Sequence, residues 1–319
     1  MIRSPKLDEF YNAKSTGNRV IGTYLYPHLL FDRFDPNDPY SATAILARIQ
    51  LDSEQVFVTC NGGLFIESPT ALVDNVTRDA GENFKDKQAF EEKTADVFNQ
   101  IICELTFNGI VSEPATPVHI AGAKLIDDHI LITSATGGRE IYLERTLMPA
   151  LQLSNGRWLM CRIRNCEVIN QISANDRIPQ LLEISGTLPG LIAGAYFMFS
   201  RRQLAEALVD GWVVVEQILD RLWTRYTSDI SDNSRKQRLS DTRTYSAAVR
   251  IEILHTLGII PTALYAMLNV SRKHRNDLAH RSKISLTMAT EVLECMKQMI
   301  ESFCKTSIAQ PLTHVGVNW

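Results

Sequence analysis

The sequence predicts an α+β protein of two domains: a mainly antiparallel β domain with at least one helix over residues 1–195, and an all-α four-helix bundle over 196–319. Three observations predict it. Short β-branched and aromatic runs separated by Asn-Gly, Gly-Gly and Asp-Asp pairs fill much of the first half. Long apolar stripes at helical spacing fill the last third. Between them, residues 186–200 carry Gly-Pro-Gly punctuation, the composition of a boundary.

In the N-terminal part the strand-like runs are residues 20–26, 43–50, 55–60 and 64–66, the last entered through Asn61-Gly62-Gly63. Further on, 121–126 and 129–134 flank Asp127-Asp128, Gly137-Gly138 precedes 141–143, and Asn155-Gly156 introduces 158–163. Such two-residue turns favour antiparallel pairing because positive φ at Asn, Asp or Gly matches the twist of the strands. One helix interrupts them: Phe90, Thr94, Val97, Ile101 and Leu105 recur every three or four residues, Glu91 and Glu92 crowd its start, and Asn108-Gly109 supplies a stop. Asp32, Asp35 and Asp38 lack the glycine and distal glutamate of a calcium loop and read as a polar turn. His119 and His129 sit in strand-like segments and read as structural. With no phosphate-binding glycine loop, nucleophile elbow or metal-binding histidine pair, this part is assigned to recognition or regulation.

In the C-terminal part, Leu204, Leu208, Trp212, Val215, Leu219 and Leu222 form the stripe of a first long helix. Residues 228–242 are polar and basic and read as an exposed connection. A second helix spans 245–257 and stops at Gly258, and Pro261 opens a third. A fourth starts near Ser285 and aligns Ala289, Val292, Met296, Ile300 and Phe303. Four such helices with mostly short links give an antiparallel bundle.

The third helix carries the most specific stretch of the chain, residues 271–281, where Arg272, Lys273, His274, Arg275, His280 and Arg281 surround Asn276-Asp277. Asn276 and His280 are four apart and share a helical face, and the long Arg275 side chain can curl to join them. One seam, through Leu264, Leu268, Ser271, Arg275 and Leu278, would put Arg275 near the buried line; a rival seam runs through Met267, Val270 and His274. A buried unpaired guanidinium would be strongly destabilising, so the first seam invites a functional reading. Glu216, in an apolar stretch of the first helix, either pairs with a motif arginine across the bundle or turns outward. His255, His274 and His314 read as structural or exposed.

Arg275-Asn276-Asp277-Leu278-Ala279-His280, at the end of the third helix of a four-helix unit, resembles the RNA-cleavage motif of the HEPN superfamily, an arginine and a histidine separated by four to six residues. The resemblance covers the last third of the chain and extends to the Apea-like branch, in which a β-rich region precedes the bundle. It implies a metal-independent endoribonuclease of the host-defence or toxin kind, without cofactor, controlled by the N-terminal domain through a trigger ligand or protein. In such a site His280 takes the 2′-hydroxyl proton, Arg275 neutralises the phosphoryl oxygens, and a 2′,3′-cyclic phosphate remains. Asn276 orients the imidazole or donates to the phosphate. Asp277 either fixes the ring's tautomer or forms a surface ion pair. Arg272, Lys273, Arg281 and Lys283 would hold the RNA backbone, tRNA included. One histidine does not easily serve as both base and acid, so the resemblance implies a homodimer with a composite site. The alternatives are a non-catalytic HEPN-type module binding RNA or nucleotide, or holding an assembly together, and, third, a DNA-binding regulator, which the lack of a helix-turn-helix pattern disfavours.

Composition bounds these readings. At 45% hydrophobic and 22% charged the chain is of the globular class. The longest apolar run, 188–199, is interrupted by Pro189, Gly190 and Gly194 and is too short to span a bilayer, and no leader is visible. Cys60, Cys103, Cys161, Cys166, Cys295 and Cys304 show no zinc or Cys-x-x-Cys spacing, which predicts reduced thiols in a cytoplasm. The net charge of −3 divides unevenly: from Tyr196 onward 16 Lys+Arg face 12 Asp+Glu (+4), against 17 and 24 before it (−7). The basic part is the one with the motif, as a polyanionic partner requires.

Overall fold

The structure is a computed structural model, and it describes residues 18–26, 29–31, 43–51, 54–67, 82–131, 161–163, 169, 177–241, 243–280 and 283–308. It is α+β in two parts. One compact unit comprises residues 1–101 with 115–175, the other 102–114 with 176–319. The helical unit thus takes in residues 102–114 and 176–195, which the sequence assigned to the N-terminal part.

In the first unit a six-stranded antiparallel sheet has the order β3-β4-β5-β1-β6-β7. Its strands are β1 (Asn18–Tyr24), β3 (Ile45–Leu51), β4 (Glu54–Thr59), β5 (Gly63–Glu67), β6 (Ala121–Ile126) and β7 (His129–Leu131). A separate parallel pair joins β2 (Leu29–Phe31) to β8 (Cys161–Ile163). The turn chemistry read from the sequence is present. Asp127 and Asp128 both take positive φ (46° and 61°) between β6 and β7, and Gly62 does so (75°) between β4 and β5. There Thr59 Oγ1 donates to Asn61 Oδ1 at 2.6 Å and accepts from Gly63 N at 2.9 Å.

The sheet curls until its outer strands meet. Ala44 bridges His129, Ile45 N donates to Asp128 O at 2.9 Å, and Arg48 pairs with Asp128. His129 is structural, its Nδ1 3.1 Å from Thr43 Oγ1, and His119 lies in a single 3-10 turn rather than a strand. Val20, Tyr24, Phe57, Phe65, Ala123 and Ile130 fill the concave side. The Phe65 ring lies against Gly22, where a Cβ would come within 2.3 Å of it, so only glycine fits under the ring. The runs at 141–143 and 158–160, the Asp32–Asp38 loop and His314 lie outside the described residues.

The helix expected at Phe90 is α1 (Glu82–Phe107), which begins eight residues earlier. It ends as the Asn108-Gly109 signal requires: Gly109 has φ 86°, its N–H reaches Thr106 O at 2.9 Å, and Ile110 N reaches Leu105 O at 2.8 Å.

The second unit contains α2 (Arg177–Leu182), α3 (Leu188–Ser200), α4 (Leu204–Ser228), α5 (Asn233–Leu239), α6 (Ala247–Thr256), α7 (Thr262–His280) and α8 (Leu286–Cys304). The four helices read from the sequence are α4, α6, α7 and α8. The long α4 is central and packs against α3, α5, α6, α7 and α8. In its stripe Leu208, Trp212, Val215 and Leu219 are buried while Leu204 and Leu222 are half-buried, and fully burying such a side chain contributes about 1.5–3 kcal/mol. Ser285 caps α8 by accepting from Met288 N at 3.2 Å, and Gly258 (φ 71°) closes α6.

Two expectations need correcting. Residues 188–199, read as an interrupted apolar run at the boundary, are a continuous helix, α3, buried at Leu188, Ile192, Ala193, Ala195 and Phe197. Pro189 lies in the first turn, where its missing N–H is harmless, and burial on most sides leaves no helical period to read. Within the polar connection 228–242 lies α5, exposed as expected but helical. Asp232 caps it by accepting from Ser234 N and Arg235 N, and the Leu239 side chain is buried while its carbonyl accepts from Trp223 Nε1 at 3.0 Å. Among the described residues no helix is long and apolar enough to cross a membrane. Cys60, Cys103, Cys295 and Cys304 are buried thiols, none of them in a disulfide.

Candidate functional site

The first half of α7 is an ordinary packed helix. Leu264, Leu268 and Ser271 are buried, and no later residue of the helix is. Over the last turns the packed line drifts. At about 100° per residue, Arg275 lies about 40° to one side of Ser271 and His274 about 60° to the other, and the chain packs His274 and Leu278. Arg275 is exposed, so the seam that would bury it skips it: it is fully buried as far as Ser271 and resumes, partly buried, at Leu278. The reason is electrostatic as much as geometric: an imidazole with a carboxylate partner is more easily enclosed than a guanidinium without one.

Asn276 and His280 are also exposed, one turn apart on the outward face, with Arg272 one turn further back. Arg275 Nη1 donates to Asn276 Oδ1 at a long 3.4 Å. Among the described residues His280 makes no hydrogen bond or ion pair, and the residue is exposed. Of the cations expected to hold RNA, Lys273 and Lys283 are exposed. Arg272 is half-buried with its Nε sealed from solvent and without a hydrogen-bond partner. Arg281 lies outside the described residues. Asp277 is half-buried.

Among the described residues Glu216 is joined to no motif arginine by a hydrogen bond or ion pair. It is half-buried and lines an open cleft with Asp220, Tyr245 and Arg250. There Arg250 pairs with Asp220 and lies over the Trp223 ring at 5.7 Å. His255 is structural, its Nδ1 2.9 Å from Ile260 O and its ring stacked on Tyr265 at 4.2 Å.

Sequence reasoning missed one pair at the motif: His274 Nε2 lies 2.5 Å from Glu291 Oε2 on α8. Their separation of 17 in sequence carries no spacing signal. The one sequence-level hint is that His274 stands four residues before Leu278, on the packed side. Among the described residues no three His, Cys, Asp or Glu side chains gather as metal ligands.

Chemically, the end of α7 presents a guanidinium fork, a carboxamide and an imidazole to solvent on a helix whose opposite side is packed. That arrangement can receive a large anionic ligand without an enclosing pocket. Comparison of the chain with protein-family models, with curated proteins and with solved structures finds no match.

Proposed function

We propose that the chain is a metal-independent RNA endonuclease of the HEPN type, of the host-defence or toxin kind, whose β-rich N-terminal part controls the helical part. The observation that supports this reading most is the outward placement of Arg275, Asn276 and His280, with His280 unengaged by the rest of the described chain. A polymer cannot enter a small pocket, but it can lie along a helix end of this kind.

RNA brings its own nucleophile. His280 removes the 2′-hydroxyl proton, the oxygen attacks the adjacent phosphorus in line, and the 5′-oxygen leaves, giving a 2′,3′-cyclic phosphate. Arg275 stabilises the charge gathering on the non-bridging oxygens, and Asn276 orients the imidazole or donates to the phosphate. Lys273, Lys283, Arg272 and Arg281 hold the neighbouring phosphates. The leaving oxygen needs a proton, which a second copy's His280 supplies across a two-fold axis.

A second reading, a non-catalytic module that binds RNA or nucleotide, is favoured by one observation: Arg275 bonds to Asn276, and no hydrogen bond joins it to His280. The two readings separate on incubation of total RNA and tRNA in EDTA with wild type, His280→Ala and Arg275→Ala, followed by end-group analysis. Cleavage by wild type alone, with cyclic phosphate ends, is the expected result. Equal cleavage by all three would refute the site, and retention of RNA without cleavage by any would favour the binding module.

A further inference from the structure

The nuclease reading leaves His274 without a task, although it sits beside Arg275. Its side chain is 16% exposed, its Nε2 faces Glu291 Oε2 at 2.5 Å, and its Nδ1 is sealed from solvent with no hydrogen-bond partner. A proton on Nε2 is donated to the carboxylate, whereas a proton on Nδ1 would be a buried donor without an acceptor. The surroundings therefore select the Nε2–H tautomer. Neither ring nitrogen is then open to exchange a proton with a bound molecule, which separates His274 from His280.

What His274 does hold is the helix end. Beyond Ser271 no residue of α7 is fully buried, and Leu278 is only partly so, packing against the core of the helical unit. Leu278 and the His274–Glu291 bond are thus two of the contacts that fix the last turns, the second of them directly to α8. These two lie one turn apart on the same side of the helix. Arg275 and Asn276 follow His274 directly, so a rotation of that turn re-aims both, and a misplacement of about 1 Å at a reacting group can cost about 10²-fold in rate.

We propose that His274, donating to Glu291, is the positioning residue of the Arg275–His280 segment, setting the direction in which its guanidinium and imidazole project. This rests on the nuclease reading for its catalytic consequence, but not for its structural one. The test compares wild type, His274→Ala, His274→Gln, Glu291→Ala and Glu291→Gln. Glutamine at 274 places an amide N–H near the Nε2 position, and glutamine at 291 keeps an acceptor, so both preserve the bond without the imidazole or the charge.

Two quantities are read: kcat and KM for cleavage of a defined RNA, and amide hydrogen exchange across α7. His274→Ala and Glu291→Ala are expected to lower kcat by about tenfold with KM within about twofold. They are also expected to speed exchange at 275–280 while leaving 264–271 protected. His274→Gln and Glu291→Gln are expected to restore both. A merely structural role would lower the melting temperature without separating kcat from KM. Failure of His274→Gln to rescue kcat while exchange is restored would overturn the proposal, because the imidazole itself would then be required. Unchanged exchange in the alanine variants would overturn it as well. If wild type cleaves no RNA, the nuclease reading falls, and exchange alone decides whether this pair orders the segment.

Discussion

Two clusters of charge in the helical unit are handled in opposite ways. At the end of α1, Glu104 is fully buried and receives Arg177 through two bonds, Nε to Oε1 at 3.2 Å and Nη2 to Oε2 at 2.6 Å. The arginine also lies over the Phe107 ring at 5.3 Å and reaches Ser307 O at 3.4 Å. At the end of α7, among the described residues Arg275 has only a long bond to its neighbour Asn276, and Arg275, Asn276 and His280 are exposed. The contrast separates two uses of arginine. The first is enclosed by its partners and specifies how helices meet, while the second leaves most of its donors unengaged by the described chain.

The sharpest test of that contrast is functional. His280→Ala is expected to reduce RNA cleavage by about 10²- to 10⁴-fold while leaving stability within about 0.5 kcal/mol, as for other exposed side chains. Gel-based cleavage and thermal melting of the same preparation check both halves. Glu104→Ala should do the reverse. It strands a buried guanidinium, which destabilises by about 3–5 kcal/mol, measured by urea denaturation, and leaves cleavage per folded molecule unchanged. A Glu104→Ala protein as stable as wild type would erase the distinction.

A pH experiment sharpens the comparison further, because thiols line the closed interior. Burial pushes the Cys295 thiol from 9.0 up to about 12, with the Ser271 hydrogen bond pulling the other way. Cys304 is likewise raised, to about 11, by burial, with Arg177 lowering and Glu104 raising it. The unfolded thiols lose their protons near pH 9 while the folded ones keep them. Their contribution is therefore fully present below about pH 9 and is lost as pH rises through about 11 to 12. The melting temperature should fall between pH 8.5 and 10.5, and fall less in Cys295→Ala. The smallest expected effect is at the last turn of α8, where Lys305 holds φ 51°. Lys305→Gly relieves that strain and should add about 0.5 kcal/mol, read as a small rise in melting temperature.

Much of the fold was legible where local chemistry dictates it. The hairpin at Asp127-Asp128, the stop at Asn108-Gly109, the Ser285 cap and the stripe of α4 each follow from residues within a few positions of one another. What escaped depends on distant partners. The α3 helix is enclosed on most sides, so its sequence has no polar face to reveal a period, and its Pro and Gly read as breakers. The α5 helix is almost wholly polar, with Leu239 its one buried residue. At the candidate site the shared Asn276–His280 face was legible from their spacing of four, but not that it points outward. The exposure of Arg275 was not, because the spacing of Leu264, Leu268 and Ser271 extends to it while the packing against α8 swings away. Glu291 could not be found at all, since nothing in its own helix marks it as the partner of His274.

The meeting of β3 with β7 has a kinetic meaning. Thr43 and His129, which touch where the curled sheet closes, stand 86 positions apart, so that closure must wait until a long loop has been gathered. Helices α6, α7 and α8, by contrast, are neighbours in sequence that pack on one another directly. On refolding from denaturant the helical signal should therefore recover ahead of the sheet, leaving the strand ends at Ala44 and His129 among the last backbone partners to find each other.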